Sequence, residues 1–133
     1  MKIYVFGNPL VSEDSLSLLM LPRLKKEFPE IKFEVVDPNE NFPPSREMNL
    51  IILDSVKEIN KVMLLDYSDL ISVEKSPVSP HDYDLLLHLL LLKKMGKINE
   101  VKIIGVPYGA KQNEILNDVI NIIQIIDPGS SPR

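Results

Sequence analysis

Cysteine is absent from the 133 residues. A disulfide scaffold, a cysteine protease, an iron–sulfur protein and a thiolate zinc site are therefore excluded, and the composition fits a reducing interior. Histidine is scarce, with two residues, so a serine triad would have to use His81 or His88 beside a serine that no motif identifies. There is no His-Glu-x-x-His helix, no Gly-x-Ser-x-Gly elbow, no Walker loop and no Gly-x-Gly-x-x-Gly turn. A zincin, an α/β-hydrolase and a nucleotide-binding domain each lose their main signature.

Excess positive charge is lacking as well. Fifteen basic against nineteen acidic residues give a net charge of -4, which supplies no electrostatic footing for nucleic acid or an anionic membrane. No apolar run is long enough for a bilayer. The leucine-rich stretch from Leu85 to Leu92 is broken by His88 and closed by Lys93-Lys94, and a run of about ten residues falls short of roughly 30 Å of hydrocarbon. The amino-terminal Met1–Phe6 run is too short for a signal-peptide core. A cytoplasmic protein is expected.

What is present is an ordinary globular composition, 44% hydrophobic and 26% charged, in a chain of single-domain length. The expectation is one domain over residues 1–127 and a flexible tail over 128–133. Apolar periodicity alternates along it. Lys2–Phe6 reads as a buried strand ended by Gly7-Asn8-Pro9. Leu16, Met20, Leu24 and Phe28 recur at steps of four within a helical span from Ser12 to Phe28, where Pro22 predicts a kink or break. Strands are predicted at Lys32–Asp37, Asn49–Leu53, Lys61–Leu65 and Val101–Val106. A long loop spans Ser68–Ser79. Helices are predicted from about Pro80 to Met95, capped by Gly96, and from Asn113 to Ile126. Strands alternating with helices imply a three-layer α/β/α sandwich around a twisted, mainly parallel sheet of about five strands.

In such sheets ligands bind beyond the carboxyl ends of the strands, so the polar residues there are the ones to weigh. Ser12 can cap a helix and place Glu13 and Asp14 in its first turn, which by itself is ordinary helix capping. Asp37 closes the second strand and Asp54 the third. A lone strand-end aspartate is usually a turn former, but two in adjacent strands raise the prospect of a shared site. Ser79-Pro80-His81-Asp82 combines a cap, a first-turn proline and a following acid. His81 in that first turn is held neutral by the positive helix end and is available as an acceptor or ligand. His88, among leucines, reads as a packing residue. Two carboxylates and an imidazole from Asp14, Asp54 and His81 could make a three-ligand site with open positions.

Read with their flanks, these segments resemble the nickel–iron hydrogenase maturation endopeptidases. Gly7-Asn8-Pro9-Leu10-Val11-Ser12-Glu13-Asp14 looks like that family's glycine–asparagine turn and acidic pair. Leu50-Ile51-Ile52-Leu53-Asp54-Ser55 resembles its strand ending in aspartate. Ser79-Pro80-His81-Asp82 resembles its histidine segment, and Val101-Lys102-Ile103-Ile104-Gly105-Val106 the strand that follows. The segments stand in the family's order over nearly the whole chain. Departures are Val5, Ser15 and Ser17 where the family usually has glycine, and Pro38-Asn39-Glu40-Asn41-Phe42 after Asp37.

The resemblance implies a metal-dependent, aspartic-type endopeptidase that removes the C-terminal extension of a hydrogenase large-subunit precursor after nickel insertion. It implies that Asp14, Asp54 and His81 bind nickel supplied by the precursor, with Asp14 and Asp37 catalytic and Gly7, Asn8 and Glu13 contacting substrate. No organic cofactor is expected, and a monomer that binds neither nucleic acid nor membrane. The rival reading is a non-catalytic metal- or ligand-binding α/β module in hydrogenase assembly.

Overall fold

The computed structural model describes residues 1–7, 10, 15–36, 42–44, 47–56, 59–66 and 92–127. Five strands form one sheet: β1 (Lys2–Val5), β2 (Lys32–Val35), β3 (Asn49–Val56), β4 (Met63–Leu65) and β5 (Glu100–Pro107). Their order is β2-β1-β3-β5-β4. The first four in that order run parallel, and β4 alone is antiparallel, to β5. The expected α/β architecture with a mainly parallel sheet is present.

The central strands are long because they are apolar on both faces. Along β3 and β5 every residue beyond the third is buried, and the two pair in unbroken register from Asn49↔Glu100 to Val56↔Pro107. Burial on both sides is what a parallel sheet between helices demands. Ile3, Val5, Leu53, Ile104 and Val106 point to one face, where α1 (Leu16–Leu19), α2 (Leu21–Glu27) and α3 (Gln112–Ile126) cover them. Leu24, Phe28, Val119 and Ile123 are fully buried in that layer. Tyr4, Leu50, Ile52, Val101 and Ile103 point to the other face. There Leu92, in a helical turn at 92–94, and Phe42 pack against the cluster these residues form with Ile98.

Pro22 does break the first helical span. The chain stops at Met20 and restarts with Pro22 in the first turn of α2, where its missing N–H would have had no partner anyway. Gly96 caps its helix as expected. It takes φ +72°, its N–H donates to the Lys93 carbonyl at 3.1 Å, and Lys97 N–H donates to Leu92 at 2.9 Å. This is a Schellman closure, which needs the left-handed residue that glycine supplies.

Three expectations are corrected. β3 runs on to Val56, so Asp54 lies inside the strand rather than at its end; apolar burial and continued pairing with β5 carry the ladder past the acid. The second and third strands are not neighbours, because β1 is inserted between them. β2 stops at Val35, and Asp37 lies outside the described residues, as do the Ser68–Ser79 loop, most of the leucine-rich helix, His88 and the tail from 128.

Ser17 is fully buried, and its hydroxyl finds no hydrogen-bond partner. A desolvated, unmatched hydroxyl is unfavourable, and alanine is also the better helix former. Ser17→Ala is therefore expected to raise the unfolding free energy by about 1 kcal/mol in urea titration. A loss of stability instead would reveal a partner for that hydroxyl.

Candidate functional site

Strand order locates the crevice. From β1 the chain winds outward to β2, then crosses back over β1 to lay β3 on its other side. The winding reverses between β1 and β3, and their carboxyl ends are where connecting segments leave in opposite directions. This is the switch point at which open α/β sheets bind ligands.

Asp54 stands there. The pairs Tyr4↔Ile52 and Val5↔Leu53 bring β1 and β3 into register, and Phe6 N–H donates to the Leu53 carbonyl at 2.9 Å. One step further, Asp54 comes abreast of Phe6, with Gly7 following at the end of the neighbouring strand. On its other side Asp54 pairs with Gly105. Strand alternation turns it toward the face of Leu50 and Ile52.

Asp54 is 4% exposed, and its Oδ1 accepts the Ser55 backbone N–H at 2.8 Å. Burying a carboxylate is costly unless hydrogen bonds or a cation compensate. Apart from Asn49 at its start and Ser55 beside the acid, β3 is apolar, and such a strand has no packing use for a carboxylate. The Ser55 bond fixes the carboxyl group's orientation, so it can present charge to a group in the crevice without rearranging.

An aromatic wall flanks this position. Phe42 makes edge-to-face contacts with Tyr4 and Phe6, each at 5.1 Å between ring centres. Phe42 thus lies over β1, against both Tyr4 and Phe6. On the opposite flank, a side chain at Gly105 would stand 3.2 Å from Val56 Cγ2 and 3.3 Å from Ile59 Cδ1. The glycine makes room for Ile59 beside the aspartate. Neither feature was read from the sequence as part of a site; an isolated glycine within an apolar strand is the signal that could have raised Gly105.

Of the expected site residues, the structure brings Gly7 and Asp54 to this one edge. Asn8, Glu13, Asp14, Asp37 and His81 lie outside the described residues. The expected pairing of Asp37 with Asp54 from adjacent strands is not what the topology provides, since β2 and β3 are two strand spacings apart, roughly 10 Å. Among the described residues no group of three acidic or histidine side chains is assembled to hold a metal. No helix among them is long and apolar enough to cross a membrane.

The described groups with shifted pKa values sit at the other end of the sheet. Burial pushes the Tyr4 phenol above its ordinary 10.0, and the Glu47 carboxylate adds to this against the opposing Lys2 ammonium. Desolvation pulls Lys2 down, but Tyr4 and Glu34 outweigh it and its pKa stands above the usual 10.5.

Comparison with known proteins bears on the fold. No protein-family model and no curated protein sequence matches the chain. Solved structures do. An endopeptidase from Escherichia coli aligns with a TM-score of 0.63 at 17% identity, over 99% of this chain and 96% of that one. The [NiFe] hydrogenase maturation protease HybD from Thermococcus kodakarensis aligns with a TM-score of 0.57 at 17% identity, over 95% and 99%. Hydrogenase 2 maturation peptidase from Thaumarchaeota archaeon SCGC_AB-539-E09 gives 0.54 at 15%, over 95% and 97%. The chain has the fold of these peptidases over nearly its whole length.

Two outcomes follow. Gly105→Val should cost about 1–3 kcal/mol of stability by overpacking against Ile59 and Val56, read by urea titration. Because the folded-state pKa values of Tyr4 and Lys2 are raised, their stabilising contribution is complete below about pH 10 and is lost as pH climbs through the folded values. Unfolding free energy should hold up to about pH 10 and fall as pH rises beyond it through the folded values, less steeply in Tyr4→Phe.

Proposed function

We propose that this protein is an endopeptidase that removes the C-terminal extension of a nickel–iron hydrogenase large-subunit precursor once nickel has been inserted. The observation that carries the reading is Asp54, a buried carboxylate at the switch point of a sheet whose whole fold matches maturation peptidases. The ordered sequence segments around Gly7, Asp54, His81 and Gly105 support it independently of the fold.

In this reading the nickel of the precursor is part of the substrate. Asp14, Asp54 and His81 recognise it, a donor set of oxygen and nitrogen that suits nickel without holding it as tightly as thiolates would. Docking places the scissile peptide beside the carboxylates. Asp14 or Asp37 then takes a proton from water as it attacks the peptide carbonyl, and Gly7, Asn8 and Glu13 steady the substrate chain. The reaction takes place in the cytoplasm, on a monomer, with no organic cofactor.

The test is incubation of the protein with nickel-loaded and nickel-free precursor, followed by intact mass. Loss of a C-terminal peptide from the loaded form alone is expected; no cleavage of either would favour the non-catalytic assembly module. His81→Ala should lower the processing rate by at least about 100-fold with the melting temperature retained, as displacement of a positioning group does. Asp14→Asn and Asp54→Asn should do likewise, the latter because an amide oxygen keeps the Ser55 hydrogen bond while the charge is lost. Wild-type processing by all three would leave only helix capping and strand packing for these residues.

A further inference from the structure

Two half-buried aromatic side chains, Phe6 and Phe42, stand beside the buried carboxylate of Asp54. Tyr4 and Phe6 leave β1 on the face of the sheet that also carries Leu50 and Ile52. Strand alternation turns Asp54 to that same face, so the rings and the acid share one side. With Val5 paired to Leu53, Phe6 comes one strand spacing from Asp54, about 4.8 Å between backbones. Tyr4 is 2% exposed and only backs the wall from within. Phe6 and Phe42 remain reachable.

The two rings make a corner. They meet edge to face, with 5.1 Å between centres and 86° between planes, and the Phe42 ring meets Tyr4 at 75°. Contacts with two neighbours hold Phe42 in place. Aromatic side chains also have few rotamers to lose when something docks on them. Neither phenylalanine offers a polar atom, so the corner suits an aliphatic group and gives a hydroxyl or a charge nothing to bond.

Continuity with the crevice names the occupant, because whatever lies over Asp54 also lies against these rings. We propose that Phe6 and Phe42 form a specificity subsite that receives one bulky aliphatic side chain of the peptide to be cut. The protein then selects chains that carry such a residue close to the bond held at Asp54. The identity of the occupant rests on the endopeptidase reading above. Seating the side chain also displaces water from beside the carboxylate, where its charge acts more strongly in the drier surroundings.

The full chain, labelled for amide correlation spectra, is titrated with acetyl-Gly-Leu-Gly-amide and, separately, with acetyl-Gly-Ser-Gly-amide. Saturable shifts are expected from the leucine peptide at the amides of Phe6, Leu53 and Asp54. The serine peptide should bind at least about tenfold more weakly, the effect of not burying one aliphatic side chain. Phe42→Ala should weaken the leucine peptide by about tenfold. Val35→Ala, which trims an exposed apolar side chain on the opposite face of the sheet, should leave it unchanged. The wild-type comparison of the two peptides holds whether or not Phe42→Ala folds. Equal binding of both peptides, or no saturable shift with either, overturns the subsite, as does wild-type affinity in a folded Phe42→Ala. Leucine selectivity in a protein that cleaves no precursor supports the subsite and overturns the endopeptidase reading. Precursor cleavage without leucine selectivity does the reverse.

Discussion

The unbroken pairing of β3 with β5 is the constraint from which the rest follows. Eight residue pairs, buried from both sides over most of their length, leave these strands no position except the middle of the sheet. β1 must then flank β3, β2 must lie outside β1, and the winding must reverse between β1 and β3. The crevice at the carboxyl edge is a result of that reversal rather than of any residue in it. Asp54 acquires its standing because it belongs to the strand that forces the reversal.

Much of this was legible in the sequence because burial writes a period into the chain. Continuous apolar runs at Asn49–Leu53 and Val101–Val106 marked the inner strands, and steps of four from Leu16 to Phe28 marked the first helical layer. Pro22 and Gly96 marked a break and a cap through backbone chemistry alone. Asp54 stood out as the acid that closes an apolar strand, at the edge where such sheets bind ligands. Strand order was not legible. Nothing local in Lys32–Val35 distinguishes lying beside β1 from lying beside β3, and the notion of neighbouring acids at Asp37 and Asp54 failed for that reason. The reach of β3 past Asp54 was hidden as well, since an acid reads as a stop until its partner strand is known. Phe6 and Phe42 come together only through tertiary structure, so no spacing announces the aromatic wall.

The divergence of the sequence from its structural neighbours has a physical pattern. Identity of 15–17% coexists with alignment over nearly the full length, because apolar residues of similar volume substitute for one another in a core at modest cost. Tighter positions leave less freedom. Val5, Ser15 and Ser17 occupy places where the resembled family usually has glycine, and all three are buried here. Each side chain takes up room that a glycine leaves to its neighbours, and at Ser17 the added hydroxyl has nothing to bond.

The edges of the sheet bear on how the protein behaves in a crowded solution. An open sheet can recruit another copy through the unpaired amides of its outermost strands, the first step toward fibrils. Among the described residues those strands are β2, four residues long, and β4, three residues long. β2 carries Lys32 and Glu34 in alternation with apolar residues, and β4 runs against the direction of its four companions. Each edge offers an incoming chain only a few hydrogen bonds, too few to offset the entropy of docking. Brevity at these margins limits the pairing surface that a sheet with strongly apolar inner strands presents to a neighbouring copy.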